Sequence, residues 1–323
     1  MATQRPKYGE LALIEQIRRA AQKLPRSRGV RLGIGDDCAI LAPPAGCEVV
    51  VTTDFSLEGR HFLRDRHPAE SVGHRVLARG LSDLAAMGAT PLAAFLSLAV
   101  PRVVARDARW MEGFLGGLMA LARATGTPLA GGDTSESPVD RVLADIVLLG
   151  AVPAGKALRR DGAQVGDGIY VTGKLGGAAV ELGRVLAAKR RLRVDAAGEH
   201  PHFFPQPRLA QGLALRGRAT ACVDLSDGLS TDLGHLCVAS GVGAEIDLAA
   251  LPLAVGASVA MALDGGEDYE LLFTASAERP MPKRLRGVAV TRVGTVTRAK
   301  RVMARGVDGV VASLLPGGWE HLR

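Results

Sequence analysis

Five short segments of this 323-residue chain set a carboxylate beside glycine or threonine: Gly33-Ile34-Gly35-Asp36-Asp37, Thr52-Thr53-Asp54, Gly131-Gly132-Asp133, Asp224-Leu225-Ser226-Asp227-Gly228 and Gly265-Gly266-Glu267-Asp268. Any one of them reads as a turn or a helix cap, the commonest use of Asp and Gly. Five together, beside runs that read as strands, look like ligand loops at strand ends. Carboxylates brought together repel unless something positive lies between them. Mg²⁺ suits such a set, because it takes oxygen ligands, usually a few carboxylates plus substrate phosphates. The glycines allow a close backbone approach to a phosphate. Thr52, Thr53 and Ser226 add hydroxyl or carbonyl oxygens. The combination points to metal-dependent phosphoryl chemistry.

Asp83 adds to this set. On a helix read over His74–Met87 it shares a face with Val76, Gly80 and Met87, so partial burial is expected. A buried carboxylate needs a partner. Arg79, four residues back, is one candidate and a metal ion is the other. Two other motifs lead nowhere. Gly168–Leu175 fits G-x-x-x-x-G-K, but Leu175 stands where Ser or Thr would meet Mg²⁺, and Ile169–Thr172 reads as the strand itself. His200-Pro201-His202 is not a zinc motif, and no H-E-x-x-H occurs.

The elements that must position these residues follow from periodicity. Glu10–Leu24, His74–Met87, Asp107–Thr125, Gly176–Ala188 and Leu229–Ser240 read as helices. Glu48–Thr53, closed by Asp54, reads as a strand, as do Ala94–Val100, Val142–Val152, Ile169–Thr172, Ala221–Leu225, Ala244–Leu248, Tyr269–Thr274 and Ala289–Val296. Leu129–Ala130 reads as a short strand tip before a Gly131-Gly132-Asp133 turn, and Glu199–Pro207 as a loop. Gly, Pro and charged residues gather between Pro153 and Asp167, which sets a domain boundary there, with domains at 1–153 and 154–323. The order of elements allows α/β or α+β halves.

Composition narrows the class. Apolar residues make up 47% and charged residues 23%, an ordinary globular balance with material for aliphatic cores. The apolar runs are far shorter than the roughly 20 residues of a membrane helix, and Met1–Lys7 is polar, so a cytoplasmic protein is expected. Cys38, Cys47, Cys222 and Cys237 form no C-x-x-C pair, which argues against a disulfide framework or a zinc ribbon. The net charge of +7 comes from scattered arginines, apart from Lys189–Arg193. Only seven of the 40 basic residues are lysine, so the balance reads as compositional and no nucleic-acid partner is expected.

Taken in order, GIGDDCAIL (Gly33–Leu41), TTDFSLEGRHF (Thr52–Phe62), LSDLAAMGATP (Leu81–Pro91), GGDTS (Gly131–Ser135), VTGKLGGAA (Val171–Ala179), VDLSDGLSTDLGHL (Val223–Leu236) and GGEDYELLFT (Gly265–Thr274) resemble the thiamine-monophosphate kinases. That family lies in the superfamily of aminoimidazole ribonucleotide synthetase, selenophosphate synthetase and the hydrogenase-maturation dehydratase. The resemblance implies a two-domain fold, α/β then α+β, whose N-terminal sheet pairs with its twin in a dimer barrel. It implies transfer of the γ-phosphoryl group of ATP to thiamine monophosphate. By motif, Asp37, Thr52, Thr53, Asp54, Asp83, Asp133, Asp224 and Asp227 would hold several Mg²⁺ ions, with Asp54, Asp83, Asp133, Asp224 and Asp227 central to catalysis. Gly132, Asp133, Ser226 and Arg160 (next to Arg159) would contact ATP, and His61, Glu267 and Trp319 the thiamine phosphate. Trp319 would stack on the cationic thiazolium or be an exposed C-terminal tryptophan without a role. GGDTS departs mildly from the usual GGDTT, and Gly177 stands where an acidic residue is common. The resemblance leaves room for another ATP-using enzyme of the superfamily, and the basic balance for a non-catalytic nucleotide-binding protein.

Overall fold

A computed structural model describes residues 10–25, 29–195, 198–279 and 281–319. The chain forms two compact units. The first comprises the chain to Leu81, Pro91–Val152 and Ala188–Asp195, and the second Ser82–Thr90, Pro153–Ala187 and the chain from Ala196 onward.

In the first unit, helix α1 (Glu10–Ala21) precedes the short pair β1 (Val30–Leu32) and β2 (Ile40–Leu41). Then come β3 (Cys47–Leu57), α2 (Ala69–Ala86, whose residues from Ser82 on belong to the second unit), β4 (Thr90–Val100), α3 (Arg102–Ala105), α4 (Ala108–Thr125), β5 (Leu129–Glu136) and β6 (Leu143–Pro153). Strands β3, β6, β4 and β5 form one sheet in that order. Its core is mostly aliphatic, with Val76, Leu77 and Leu81 of α2, Leu118 of α4, and Ile146 and Leu148 of β6 all buried, joined by Trp110 and Phe114 of α4. Asp107 caps α4 by accepting from the Trp110 N–H at 3.0 Å, and Gly126 ends it in the left-handed region. Helices α2 and α4 approach closely because a Cβ at Gly73 would strike the Phe114 carbonyl, and one at Gly117 the Glu70 carbonyl. Helix α2 starts at Ala69, five residues before the sequence reading, and is buried on nearly every side rather than along one stripe.

The second unit holds β7 (Gly168–Thr172), α5 (Gly177–Ala187), α6 (Leu209–Leu215), β8 (Ala221–Asp224), α7 (Leu229–Ser240), β9 (Gly243–Asp247), α8 (Val259–Asp264), β10 (Leu271–Ala275), β11 (Arg284–Leu285), β12 (Val288–Thr297), β13 (Val302–Arg305) and β14 (Val311–Ser313). Its sheet runs β14-β13-β9-β12-β7-β10-β8, with β11 on β12. All its pairs are antiparallel except β13 on β9. One face packs Ile169, Val171, Val223 and Leu272 against Leu229, Leu233 and Leu236 of α7. The other gathers Cys222, Leu271 and Phe273 with Leu158 and Leu215. Strand β10 is thus buried on both faces, which explains the apolar run Leu271-Leu272-Phe273 where alternation would otherwise be expected. The G-x-x-x-x-G-K string contributes its middle to β7, so it is a strand and not a phosphate loop. The four cysteines are free.

Two local readings are corrected. Gly131-Gly132-Asp133 is not a turn: β5 continues to Glu136, with Gly132 paired to Leu96 of the parallel β4. Gly132 has φ +150°, and a Cβ there would run into the Leu96 backbone, so glycine is required in mid-strand. Asp54 does not close its strand either, since β3 runs on to Leu57.

Candidate active site

Alternation along β3 decides which of its polar residues point together. Thr52, Asp54 and Ser56 lie on the more buried face, while Thr53 shares the exposed face with Val51 and Phe55. Thr52 alone therefore accompanies Asp54. Arg79 of α2 donates from Nη2 to Asp54 Oδ1 at 2.7 Å, and both side chains are largely buried. Asp133 sits exposed on β5, the opposite edge of the four-stranded sheet from β3. Three strand spacings of about 4.8 Å separate those edges, so within this unit Asp54 and Asp133 cannot bind one ion together. Asp37 is exposed, and its N–H donates to Asp36 Oδ1 at 2.9 Å. The Leu57 N–H donates to His61 Nδ1 at 2.9 Å, and Arg75 donates to the His61 carbonyl at 2.8 Å. That contact assigns the neutral ring's proton to Nε2.

In the second unit the expected residues converge. Asp224 ends β8, buried, and accepts from Ser82 Oγ at 2.6 Å. Burial and then the charge of Asp83 push its carboxyl up to about 8, against the opposing pull of the Ser82 hydroxyl. Three residues on, the Ser226, Asp227 and Gly228 N–H groups each donate to Asp232 Oδ2 at 3.1 Å. Burial, with the nearby Asp227, raises Asp232 to about 7. The Glu267 N–H donates to the Ser226 carbonyl at 2.8 Å, which ties the glycine-rich loop before β10 to the Asp227 loop. The C-terminal segment is anchored here as well. Gly317 and Gly318 N–H groups donate to Ser230 and Thr231 hydroxyls at 3.1 and 3.2 Å, and the Trp319 N–H to the Asp227 carbonyl at 3.2 Å. The Trp319 side chain is half exposed. Arg160 lies exposed, its carbonyl accepting from Ser240 Oγ at 2.7 Å, whereas Arg159 is engaged by Asp161.

The second unit thus groups Asp83, Asp224, Ser226, Asp227, Glu267 and Trp319, and the first holds Asp37, Thr52, Thr53, Asp54, His61, Gly132 and Asp133. Among the described residues no three His, Cys, Asp or Glu side chains are arranged to hold a metal by themselves. The Asp83–Asp224 pair still fits a hard divalent cation. It is an all-oxygen donor set of one buried and one half-buried carboxyl, and Mg²⁺ ordinarily completes its shell with phosphate and water. Sequence reasoning missed Ser82, Asp232, Glu181 and His202. Asp232 carries one local signal, an acidic residue in the first turn of α7. The others act through partners far away in the chain.

Residues 35–152 match the family model for the AIR synthase related protein N-terminal domain, and residues 164–305 that for its C-terminal domain. The thiamine-monophosphate kinase of Salmonella typhimurium is 40% identical over 322 residues, covering 94% of this chain and 92% of that protein. That of Escherichia coli K12 is 43% identical over 280 residues, covering 82% of each. Among solved structures, thiamine-monophosphate kinase from Stenotrophomonas maltophilia superposes with a TM-score of 0.78 at 37% identity, covering 94% of this chain and 98% of that one. AaThiL complexed with AMPPCP and TMP superposes with a TM-score of 0.74 at 31% identity over the whole of both chains. The hydrogenase maturation protein HypE in complex with ATP shares the fold, with a TM-score of 0.78 at 19% identity. Both the motif order and the identities over nearly the full length place this chain in the thiamine-monophosphate kinase family of AIR synthase related proteins.

Proposed function

We propose that this protein transfers the γ-phosphoryl group of ATP to thiamine monophosphate, giving thiamine diphosphate and ADP. The observation that carries the reading is buried Asp224 with half-buried Asp83 for a neighbour, beside the loop that joins Ser226, Asp227 and Glu267. The relative bound to AMPPCP and TMP supports the choice of donor and acceptor. The attacking atom is a phosphate oxygen of thiamine monophosphate, already ionised because the second pKa of a phosphomonoester is about 6. It forms a bond to the γ-phosphorus as the bond to the ADP oxygen breaks, so no phosphoenzyme forms and no strong base is needed. Mg²⁺, when bound, neutralises the phosphates and lets two anions approach.

The chain's own residues hold and orient these groups. Asp83, Asp224 and Asp227 in the second unit, and Asp37, Thr52, Asp54 and Asp133 in the first, are the proposed Mg²⁺ ligands, with Thr53, whose side chain lies on the other face of β3, contributing its carbonyl. Gly132 and Asp133, with Ser226 and Arg160, contact ATP. The Ser226 amide is already used by Asp232 and its carbonyl by the Glu267 N–H, so Ser226 meets the nucleotide through its hydroxyl. His61, Glu267 and Trp319 contact thiamine monophosphate. Val49, Val51 and Phe55 form an exposed apolar row on the edge strand β3, at 43, 60 and 63% exposure. That row supports a homodimer through this sheet, and light scattering should show Phe55→Glu shifting the protein from dimer to monomer.

Incubation with ATP, Mg²⁺ and thiamine monophosphate, with products separated by chromatography, tests the reaction. Metal-dependent thiamine diphosphate with an equal amount of ADP is expected. ADP without thiamine diphosphate would contradict the acceptor, and a trapped aspartyl-phosphate would contradict direct transfer.

A further inference from the structure

Glu267 sits on backbone that only a rigid surrounding can hold. Its φ is +56° and that of Tyr269 is +49°, both in the left-handed region that non-glycine side chains rarely adopt. Backbone and neighbouring side chains fix the segment. Glu267 and Tyr269 N–H groups donate to the Ser226 and Leu225 carbonyls at 2.8 and 2.9 Å. The Asp268 carboxylate accepts from the Gly176 and Ala178 N–H groups at 2.6 and 3.1 Å. Glu270 accepts from Arg208 Nε at 2.7 Å and from Thr172 Oγ1 at 2.6 Å. These contacts set where residue 267 stands, but not where its carboxylate points.

A buried histidine addresses the carboxylate itself. His202 Nδ1 lies 3.4 Å from Glu267 Oε2, and His202 is 1% exposed. An imidazole withdrawn from water needs polar partners. Its backbone is fixed by Glu181 of α5, which accepts from the His202 N–H at 3.0 Å and meets His200 Nδ1 at 2.6 Å. Glu181 is itself buried, and Phe203, fully buried, packs edge-on to the His202 ring with centroids 5.5 Å apart. The contacts run in one line: Glu181 sets the 200–202 segment, that segment sets the His202 ring, and the ring faces Glu267. Such support is what holds a binding carboxylate within a fraction of an ångström of its working position.

We infer that His202 is a positioning residue for substrate binding, holding the Glu267 carboxylate in the direction that meets the cationic part of thiamine monophosphate. This rests on the reading of Glu267 as a substrate contact. Steady-state kinetics with thiamine monophosphate varied at saturating ATP and Mg²⁺ tests both, using Glu267→Gln, His202→Ala, His202→Asn and the double variant Glu267→Gln/His202→Ala. Glu267→Gln should raise KM for thiamine monophosphate about tenfold or more. His202→Ala should raise it several-fold, with KM for ATP unchanged and kcat within about twofold. His202→Asn, whose amide nitrogen can occupy the place of Nδ1, should recover most of the loss. The double variant should match Glu267→Gln alone, because the two residues act as one unit.

An unchanged KM in Glu267→Gln would overturn the substrate role of Glu267 and the inference with it. A raised KM in Glu267→Gln with wild-type KM in His202→Ala, or additive losses in the double variant, would overturn the role of His202 alone. A parallel loss in kcat and in both KM values that His202→Asn does not recover would mark His202 as structural and also overturn it. Should His202→Ala fail to fold, His202→Gln carries the same comparison, and a wild-type KM there would overturn the inference.

Discussion

Asp54 of the first unit and Asp224 of the second both stand on β-strands, yet their surroundings differ in kind. Asp54 has an arginine at 2.7 Å, and the other acidic candidates of that unit, Asp37 and Asp133, are exposed. Asp224 is buried with a second aspartate for a neighbour, and Asp232 and Asp268 nearby are raised to about 7, chiefly by burial. One unit neutralises or solvates its carboxylates, and the other buries carboxyls that hold their protons to about pH 7 or 8 until a cation takes their place. The first arrangement costs little before ligands arrive. The second leaves folding free energy to be recovered when a cation binds.

Paired substitutions break this comparison most sharply. Asp224→Asn and Asp54→Asn should each lower turnover by orders of magnitude, as expected for proposed metal ligands. Their effects on stability should have opposite signs. At pH 9, above the raised value of about 8 for Asp224, Asp224→Asn removes a charge from beside Asp83 and keeps an acceptor for Ser82, so urea unfolding of the ligand-free protein there should show it more stable than wild type. Asp54→Asn deprives Arg79 of its anionic partner while leaving an acceptor, and should cost about 1.5–3 kcal/mol. Two losses of stability would contradict the contrast, and near-wild-type turnover in Asp54→Asn would remove Asp54 from the metal site.

A pH series sharpens the picture of the second unit. The folded chain keeps the proton of Asp268 up to about 7, whereas the unfolded chain releases it near the ordinary value of 3.8. Between those values the native state binds the extra proton, so this contribution to stability is complete below pH 4 and is lost as pH rises to about 7. Asp268→Asn should flatten that part of the slope when unfolding is followed at pH 5 and pH 8. Equal slopes would show that the Gly176 and Ala178 amides hold Asp268 ionised in the folded state. The smallest effect concerns Trp319. Stacking on a cationic thiazolium is worth about 0.5–2 kcal/mol, so Trp319→Ala should raise KM for thiamine monophosphate between about two- and thirtyfold. No change would leave Trp319 a half-exposed side chain anchored only by its backbone.

Much of this architecture was legible in the sequence, and the misses have physical causes. Asp224 falls at the end of its strand as the run Ala221–Leu225 predicts, and the helix Asp107–Thr125 carries its own cap and stop in Asp107 and Gly126. Gly131-Gly132 misled because paired glycines usually mark a turn. Here they serve a close parallel pairing with β4, where Phe95 and the Leu96 backbone leave no room for a side chain. Strands β13 and β14 escaped notice because they are short and lie at or near an edge with little alternation. Aspartate and glycine pointed to most of the candidate site, since their chemistry is visible one residue at a time. The second unit's supporting contacts were silent. Ser82 meets Asp224 across 142 positions, and Glu181 meets the 200–202 segment only because a loop returns to α5.

The central claim is that the buried carboxylates of the second unit are the seat of a divalent cation. Thermal unfolding of wild type and Asp224→Asn, each with ATP alone and with ATP plus Mg²⁺, tests it most directly. The account predicts that adding Mg²⁺ raises the wild-type midpoint by several degrees and that of Asp224→Asn by little. An equal Mg²⁺-dependent rise in both proteins would contradict it.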